Sequence, residues 1–258
     1  MIKKIYLSVI TLITIGCAIY GASRMFGGVS VGYKAAAVEE SVLLDKYTQL
    51  NIDMDVSDIN ITKGTEYRLD YSGTDNFEFS YRLDNGVLQI EQKQKIVSSN
   101  SSTELTLTVP QEALFTVANI TSNVGDVIIE EMNIDTYTLD TDVGDTLIYG
   151  SRIKNIELES NTGDLTVIEC EFGIADIQCG VGEVKIERCD FENLDIKSEV
   201  GDVFIESENS LEGYAFVIKT NIGTVEINDK DMGKKYNITG GNNKLKVTGD
   251  VGDIFVKY

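Results

Sequence analysis

Histidine and tryptophan are absent from this chain, and proline occurs once, at Pro110. Without histidine, the commonest general base at neutral pH and the commonest transition-metal ligand are missing. Without tryptophan there is no Trp-lined groove for a glycan. A single proline excludes a proline-rich wall linker. Basic residues are scarce: 22 Lys and Arg stand against 42 Asp and Glu, a formal net charge of −20. So acidic a surface repels phosphate backbones and disfavours docking on anionic lipid. Nucleic acid is therefore not expected as a partner, whereas cationic partners, metal ions or plain solvation suit the charge.

What is present is a phrase repeated at a fixed period. Val124-Gly125-Asp126-Val127 recurs as Val143-Gly144-Asp145-Thr146, Thr162-Gly163-Asp164-Leu165, Val181-Gly182-Glu183-Val184 and Val200-Gly201-Asp202-Val203, each step being 19 residues. Two and four residues beyond each glycine lie apolar columns, such as Val127 and Ile129 or Val184 and Ile186, separated by a position that varies freely (Ile128, Leu147, Thr166, Lys185, Phe204). That alternation marks a strand with one buried face. Further on, Leu139, Leu158, Ile177 and Ile196 mark a second short strand, with Ile134, Ile153, Phe172 and Phe191 as an apolar column between the two. Two β-branched runs and two bends per period cannot bury a face alone, but stacked rungs can. The pattern predicts an all-β, parallel β-solenoid with 19-residue rungs, right-handed by the general rule for parallel connections.

The flanks read differently. Lys3 and Lys4 precede an uncharged run from Ile5 to about Ala22. This predicts one N-terminal transmembrane or signal helix over 1–26, with the N-terminus inside and the rest of the chain outside. An uncleaved anchor and a cleaved signal both fit. Cys17 follows Thr14-Ile15-Gly16, a lipobox-like setting with Thr where Leu is usual; the alternative is a small residue within a membrane helix. Residues 27–46 read as a linker, and 47–258 as the solenoid. Val56-Ser57-Asp58-Ile59 is a divergent first rung with Ser57 in the glycine place. The segments around Tyr67–Tyr71, Phe77–Tyr81 and Val87–Glu91, with a hairpin turn at Asn85-Gly86, predict a short antiparallel section capping that end. Lys95 to Thr103 reads as a polar loop. After Gly201 the phrase returns at Gly223 and Gly252 with insertions at 207–213 and 229–235. Lys244, Lys246 and Lys257 are expected to blunt pairing at the open end.

Three features carry candidate chemistry. Asp126, Asp145, Asp164, Glu183 and Asp202 form a column of carboxylates one rung apart, which suits calcium; the competing reading is a turn acid bonded to its own backbone. No metal and no other cofactor is expected on balance, because no second acid recurs beside the column. Paired acids in adjacent rungs would also suit a polysaccharide-active enzyme, but a uniform column lacks the single irregular place a catalytic site needs. No catalytic or cofactor-binding residue is assigned. Cys170 and Cys189, 19 apart, are stacked and within reach of a disulfide; with Cys179 they also read as small buried thiols.

The strand Leu107-Thr108-Val109-Pro110 followed by the Val-Gly-Asp phrases resembles the adhesin-like bacterial family of unknown function that includes LiaG-like, DUF4097-type β-repeat proteins. The resemblance runs from about Tyr47 to Tyr258. It implies a bacterial surface β-solenoid, commonly behind one membrane segment, with no catalytic motif to carry over. The expected function is a membrane-anchored, non-enzymatic adhesin or cell-envelope binding scaffold. It would sit in the cell membrane as a single-pass protein and present its outward positions to a protein or glycan ligand. The alternatives are an accessory of an envelope-stress system, which the LiaG likeness suggests, and the glycan-active enzyme.

Overall fold

A computed structural model describes residues 35–95 and 103–258. The segment 1–26 expected as a helix, Cys17 and most of the expected Lys95–Thr103 loop lie outside the described residues. Within them the chain is all β, with no helix.

The regular region explains the repeat. Short strands β9 (Val127–Glu130), β11 (Thr146–Tyr149) and β13 (Leu165–Ile168) alternate with long strands β8 (Leu114–Val124), β10 (Asn133–Val143), β12 (Arg152–Thr162) and β14 (Glu171–Val181); β15 (Val184–Val200) fuses one of each, and β16 (Val203–Ser207) is the next short strand. Neighbouring rungs pair in parallel at a register of one period, Ile148 opposite Val167 and Leu158 opposite Ile177. The inward columns are fully buried, with Ile148 at 0%, Val167 at 1% and Ile186 at 0% exposure. Every strand interior thus finds a partner above and below, and the apolar columns become a continuous spine.

Residue size varies along that spine. In one column Ala118, Tyr137, Ile156 and Ala175 stack in register, and the small Ala118 beside it leaves room for the Tyr137 ring. Tyr137 is fully buried and its hydroxyl has no hydrogen-bond partner. Burial pushes its phenol far above the ordinary range. Removing an unsatisfied buried hydroxyl while keeping the ring is expected to help: Tyr137→Phe should stabilise by about 1 kcal/mol, raising Tm by about 3 °C. A melting curve checks this; a lower Tm would mean the hydroxyl is satisfied by a buried water.

The ends depart from a sequential stack. At the N-terminal end come β1 (Ala37–Leu43), β2 (Gln49–Met54), β3 (Asp58–Gly64), β4 (Arg68–Thr74), β5 (Phe77–Asp84), β6 (Val87–Gln94) and β7 (Glu104–Pro110). β2 lies between β6 and β8, and β3 between β7 and β9, all in parallel, so the first rung is interior. The expected antiparallel section is present as β5 against β6 and as β4 against both β1 and β7. It does more than cap, because β6 and β7 themselves supply one further parallel rung. The hairpin turn is as read, with Asn85 and Gly86 both at positive φ. Residues Ala37–Leu43, expected as linker, instead form β1.

At the other end come β17 (Ala215–Ile222), β18 (Val225–Ile227), β19 (Lys230–Asp231), β20 (Lys235–Ile238), β21 (Lys244–Val251) and β22 (Ile254–Lys257). The last strands in sequence, β21 and β22, are wedged between β15–β16 and β17–β18. The insertion at 229–235 makes room for this: Asn228 and Asp229, both at positive φ, turn a second hairpin between β18 and β19, and β20 then covers β17 antiparallel. The expectation that Lys244, Lys246 and Lys257 guard an open end is therefore wrong. Their strands are interior; Lys246 pairs with Asp195 at 2.5 Å and Lys257 with Asp229 at 2.9 Å.

Candidate interaction surface

Each rung has two corners and a broad outer face, and the residues predicted to carry chemistry sit at the corners. At the glycine corner φ is strongly positive, +143° at Gly163, and the glycine carbonyl of the preceding rung lies where a side chain would begin. The acid column stacks along this edge, as read. Its chemistry is structural: Asp126 Oδ1 accepts the Asp145 N–H at 2.8 Å, Asp145 that of Asp164 at 2.8 Å, and Asp164 that of Glu183 at 2.8 Å. The ladder starts at Asp58, which accepts the Asp126 N–H at 3.0 Å, and resumes from Asp202 to Asp253 to Thr224. Glu183, one methylene longer than the aspartates, makes no such bond to the Asp202 amide. Sequence reasoning found the column but not its partner, which is the neighbouring rung's amide and not the acid's own backbone. A parallel ladder of side-chain amides and acids, missed in the sequence, runs beside it: Asn161 donates to Asp142 at 2.7 Å and Asn221 to Asp250 at 2.7 Å.

This arrangement separates the two readings of the column. Asp145→Asn keeps the acceptor oxygen and relieves repulsion between stacked charges, so stability should be unchanged or rise by up to about 0.5 kcal/mol. Asp145→Ala removes the acceptor and should cost about 1 kcal/mol. A calcium column would instead show a melting temperature that rises with added calcium and loses that dependence in Asp145→Asn.

At the second corner, where each short strand meets a long one, Glu131, Gly150, Glu169 and Arg188 all take left-handed conformations. Arg188 pairs with Glu169 across one rung at 2.9 Å. Hydrogen bonds from Tyr149 and Arg188 hold the Glu169 carboxyl below its ordinary range. Beneath lies the thiol column. Cys170 and Cys189 fall in adjacent rungs, as the spacing predicts, and are free thiols. Their sulfurs accept backbone amides, Ser151 N–H to Cys170 Sγ and Cys170 N–H to Cys189 Sγ, each at 3.4 Å, the role Ser151 Oγ plays for Met132 N–H at 3.0 Å. The hydrogen bond with Cys170, reinforced by burial, pushes the Cys189 thiol well up. Cys179 stands apart in the column of Ser160 and Ser198, raised to about 11 mainly by burial.

Beside this corner a shallow open groove of about 820 Å³ runs across the rungs. Phe172 and Phe191 stack at its floor with centroids 5.7 Å apart, and Leu114 and Ile174 are exposed at its sides. Two ion pairs cross its rim, Lys154 with Asp135 at 2.5 Å and Arg152 with Glu171 at 3.0 Å, and Asp190 and Glu192 add further acids. Among the described residues no cluster of three or more acids or thiols has the spacing to hold a metal ion.

The family model described as Toastrack DUF4097 matches residues 47–257. A crystal structure named as a putative adhesin from Bacteroides fragilis superposes with a TM-score of 0.53 at 18% identity, covering 86% of this chain and 98% of that one. One named as a putative cell adhesion protein from Clostridium sporogenes gives 0.35 at 13% identity, over 86% and 99% of the two chains. One named as a putative lipid binding protein from Parabacteroides distasonis gives 0.42 at 11%, over 86% and 97%. No curated protein matches the chain.

Proposed function

The chain belongs to the Toastrack DUF4097 family, and from that premise we propose that it is a membrane-anchored, surface-exposed scaffold that binds a cell-envelope or cell-surface ligand and catalyses no reaction. One observation carries this reading: everything the repeat keeps constant is spent on architecture. The constant apolar positions point into the spine, the glycines make room for the neighbouring rung, and the acids hold its amides. The outward positions of the short strands change from rung to rung: Ile128, Leu147, Thr166, Lys185, Phe204. A surface built this way displays varied side chains on a rigid lattice, as adhesive repeat proteins do.

The Bacteroides fragilis protein named as a putative adhesin, which shares this fold, supports the reading. So does the uncharged N-terminal run, which would place the scaffold outside the membrane. The test is accessibility on intact cells. Protease or a membrane-impermeant label should reach the solenoid while the chain fractionates with the membrane, and outward substitutions such as Thr166→Glu should reduce envelope binding with little change in Tm. Recovery of the chain in the cytoplasmic fraction would overturn the proposal.

A further inference from the structure

Charge is not spread evenly over the outer face of the long-strand sheet. The strands follow one another in space as β8, β10, β12, β14, β15, β21, β17 and β20. Two outward rows are acidic in the first half of that order: Asp140 and Glu159 stack in one, Glu157 and Asp176 in the next. In the second half the same rows turn basic. The first passes through Gln178 to Lys197, then Thr248, Lys219 and Lys235. The second passes from Asp195 to Lys246. A chain with a net charge of −20 therefore carries exposed lysines at one end of these two rows, while the next row keeps Glu199 and Asp250.

The basic end is under-neutralised. Lys219 and Lys235 are directly opposite each other across an antiparallel pair, both exposed. Like charges so placed are destabilising. Neither has a carboxylate partner among the described residues, whereas Lys246 and Lys257 do. The acids of the other half, Asp140 and Glu159, are likewise exposed and without an ion pair.

We propose that this face docks a second copy of the chain in a two-fold antiparallel arrangement, with the acidic half of each copy against the basic half of the other. A two-fold axis between β14 and β15 brings Asp140 of each chain to Lys219 of its mate and, in the second row, Glu157 to Lys246. A parallel pairing would oppose like charges instead. Because Ala37 begins the outermost strand at one end of the stack, such a pair carries its two Ala37 residues at opposite ends. If the chain is anchored as proposed above, the pair suits copies reaching from two facing surfaces; the pairing itself does not depend on anchoring.

Sedimentation equilibrium of the full-length chain at about 50 mM and about 500 mM NaCl reads the pairing. The expected result is a dimer at low salt that dissociates at high salt. Lys219→Glu with Lys235→Glu should weaken it at least about tenfold, as should Asp140→Lys with Glu159→Lys. Mixing the two reversed chains should restore a dimer, since one then carries acid on both halves and the other base on both. Melting curves confirm folding, and Lys219→Gln with Lys235→Gln gives a smaller loss in the same direction should a reversal perturb it. A monomer at both salts, an association indifferent to the substitutions, or a mixture that fails to pair would overturn the proposal. So would an open-ended series of sizes, the mark of head-to-tail contact.

Discussion

Replacing Gly163 with alanine is expected to abolish folding of the solenoid. Its φ of +143° is a region that L-residues rarely enter. The added Cβ would lie 1.9 Å from the Gly144 carbonyl oxygen and 2.6 Å from its carbonyl carbon. Both obstacles are backbone, and Gly144 is itself fixed by the Thr162 carbonyl that accepts its N–H. Nothing can move without opening the ladder on both sides. The cost should exceed about 5 kcal/mol, beyond the usual range for one substitution and a large share of a domain's stability. Gly150→Ala is the control. It too has positive φ, but its nearest neighbour is the flexible Glu131 side chain at 3.4 Å, so about 1 kcal/mol is expected. Melting curves of the two variants decide the matter; a Gly163→Ala chain melting beside the parent would sink the close-stacking account.

Removal of residues 244–258 should have an effect of the same order. In a coil stacked in chain order, that cut would trim the free end. Here it takes β21 and β22 out of the middle. Leu245, Val247, Ile254 and Val256 are all at most 1% exposed. Burying four such side chains is worth on the order of 6–12 kcal/mol, comparable with the whole stability of a domain. The cut also strands β17 and β18, which keep only β20 and β19, and uncovers the edges of β15 and β16. Limited proteolysis of the truncated chain should show residues 208–243 cleaved rapidly and the remainder prone to aggregate. A truncated chain with an unchanged melting curve would refute the wedged topology.

The periodicity in the sequence identified equivalent residues well, because burial imposes the same demand on each rung. Ile129, Ile148, Val167 and Ile186 are all interior. It could not say which rung lies beside which. Gly223 and Gly252 stand in the same phrase, and either would pack on Gly201; Gly252 does so, and Gly223 packs on Gly252. That choice depends on the Asn228-Asp229 hairpin, whose turn signal was hidden inside an apparent insertion. The acid column was legible for a similar reason, while its bond to the next rung's amide required three-dimensional stacking. The opposed Lys219 and Lys235 lie sixteen residues apart in sequence and meet only through the antiparallel return of β20.

The interior seat of the last strand also governs how the molecule bears tension. A solenoid that ends on an edge rung unzips, one hydrogen bond at a time, when its terminus is pulled. Here Lys257 ends a strand gripped on both sides by parallel neighbours. Force along the strand direction at Tyr258 must therefore shear two ladders together.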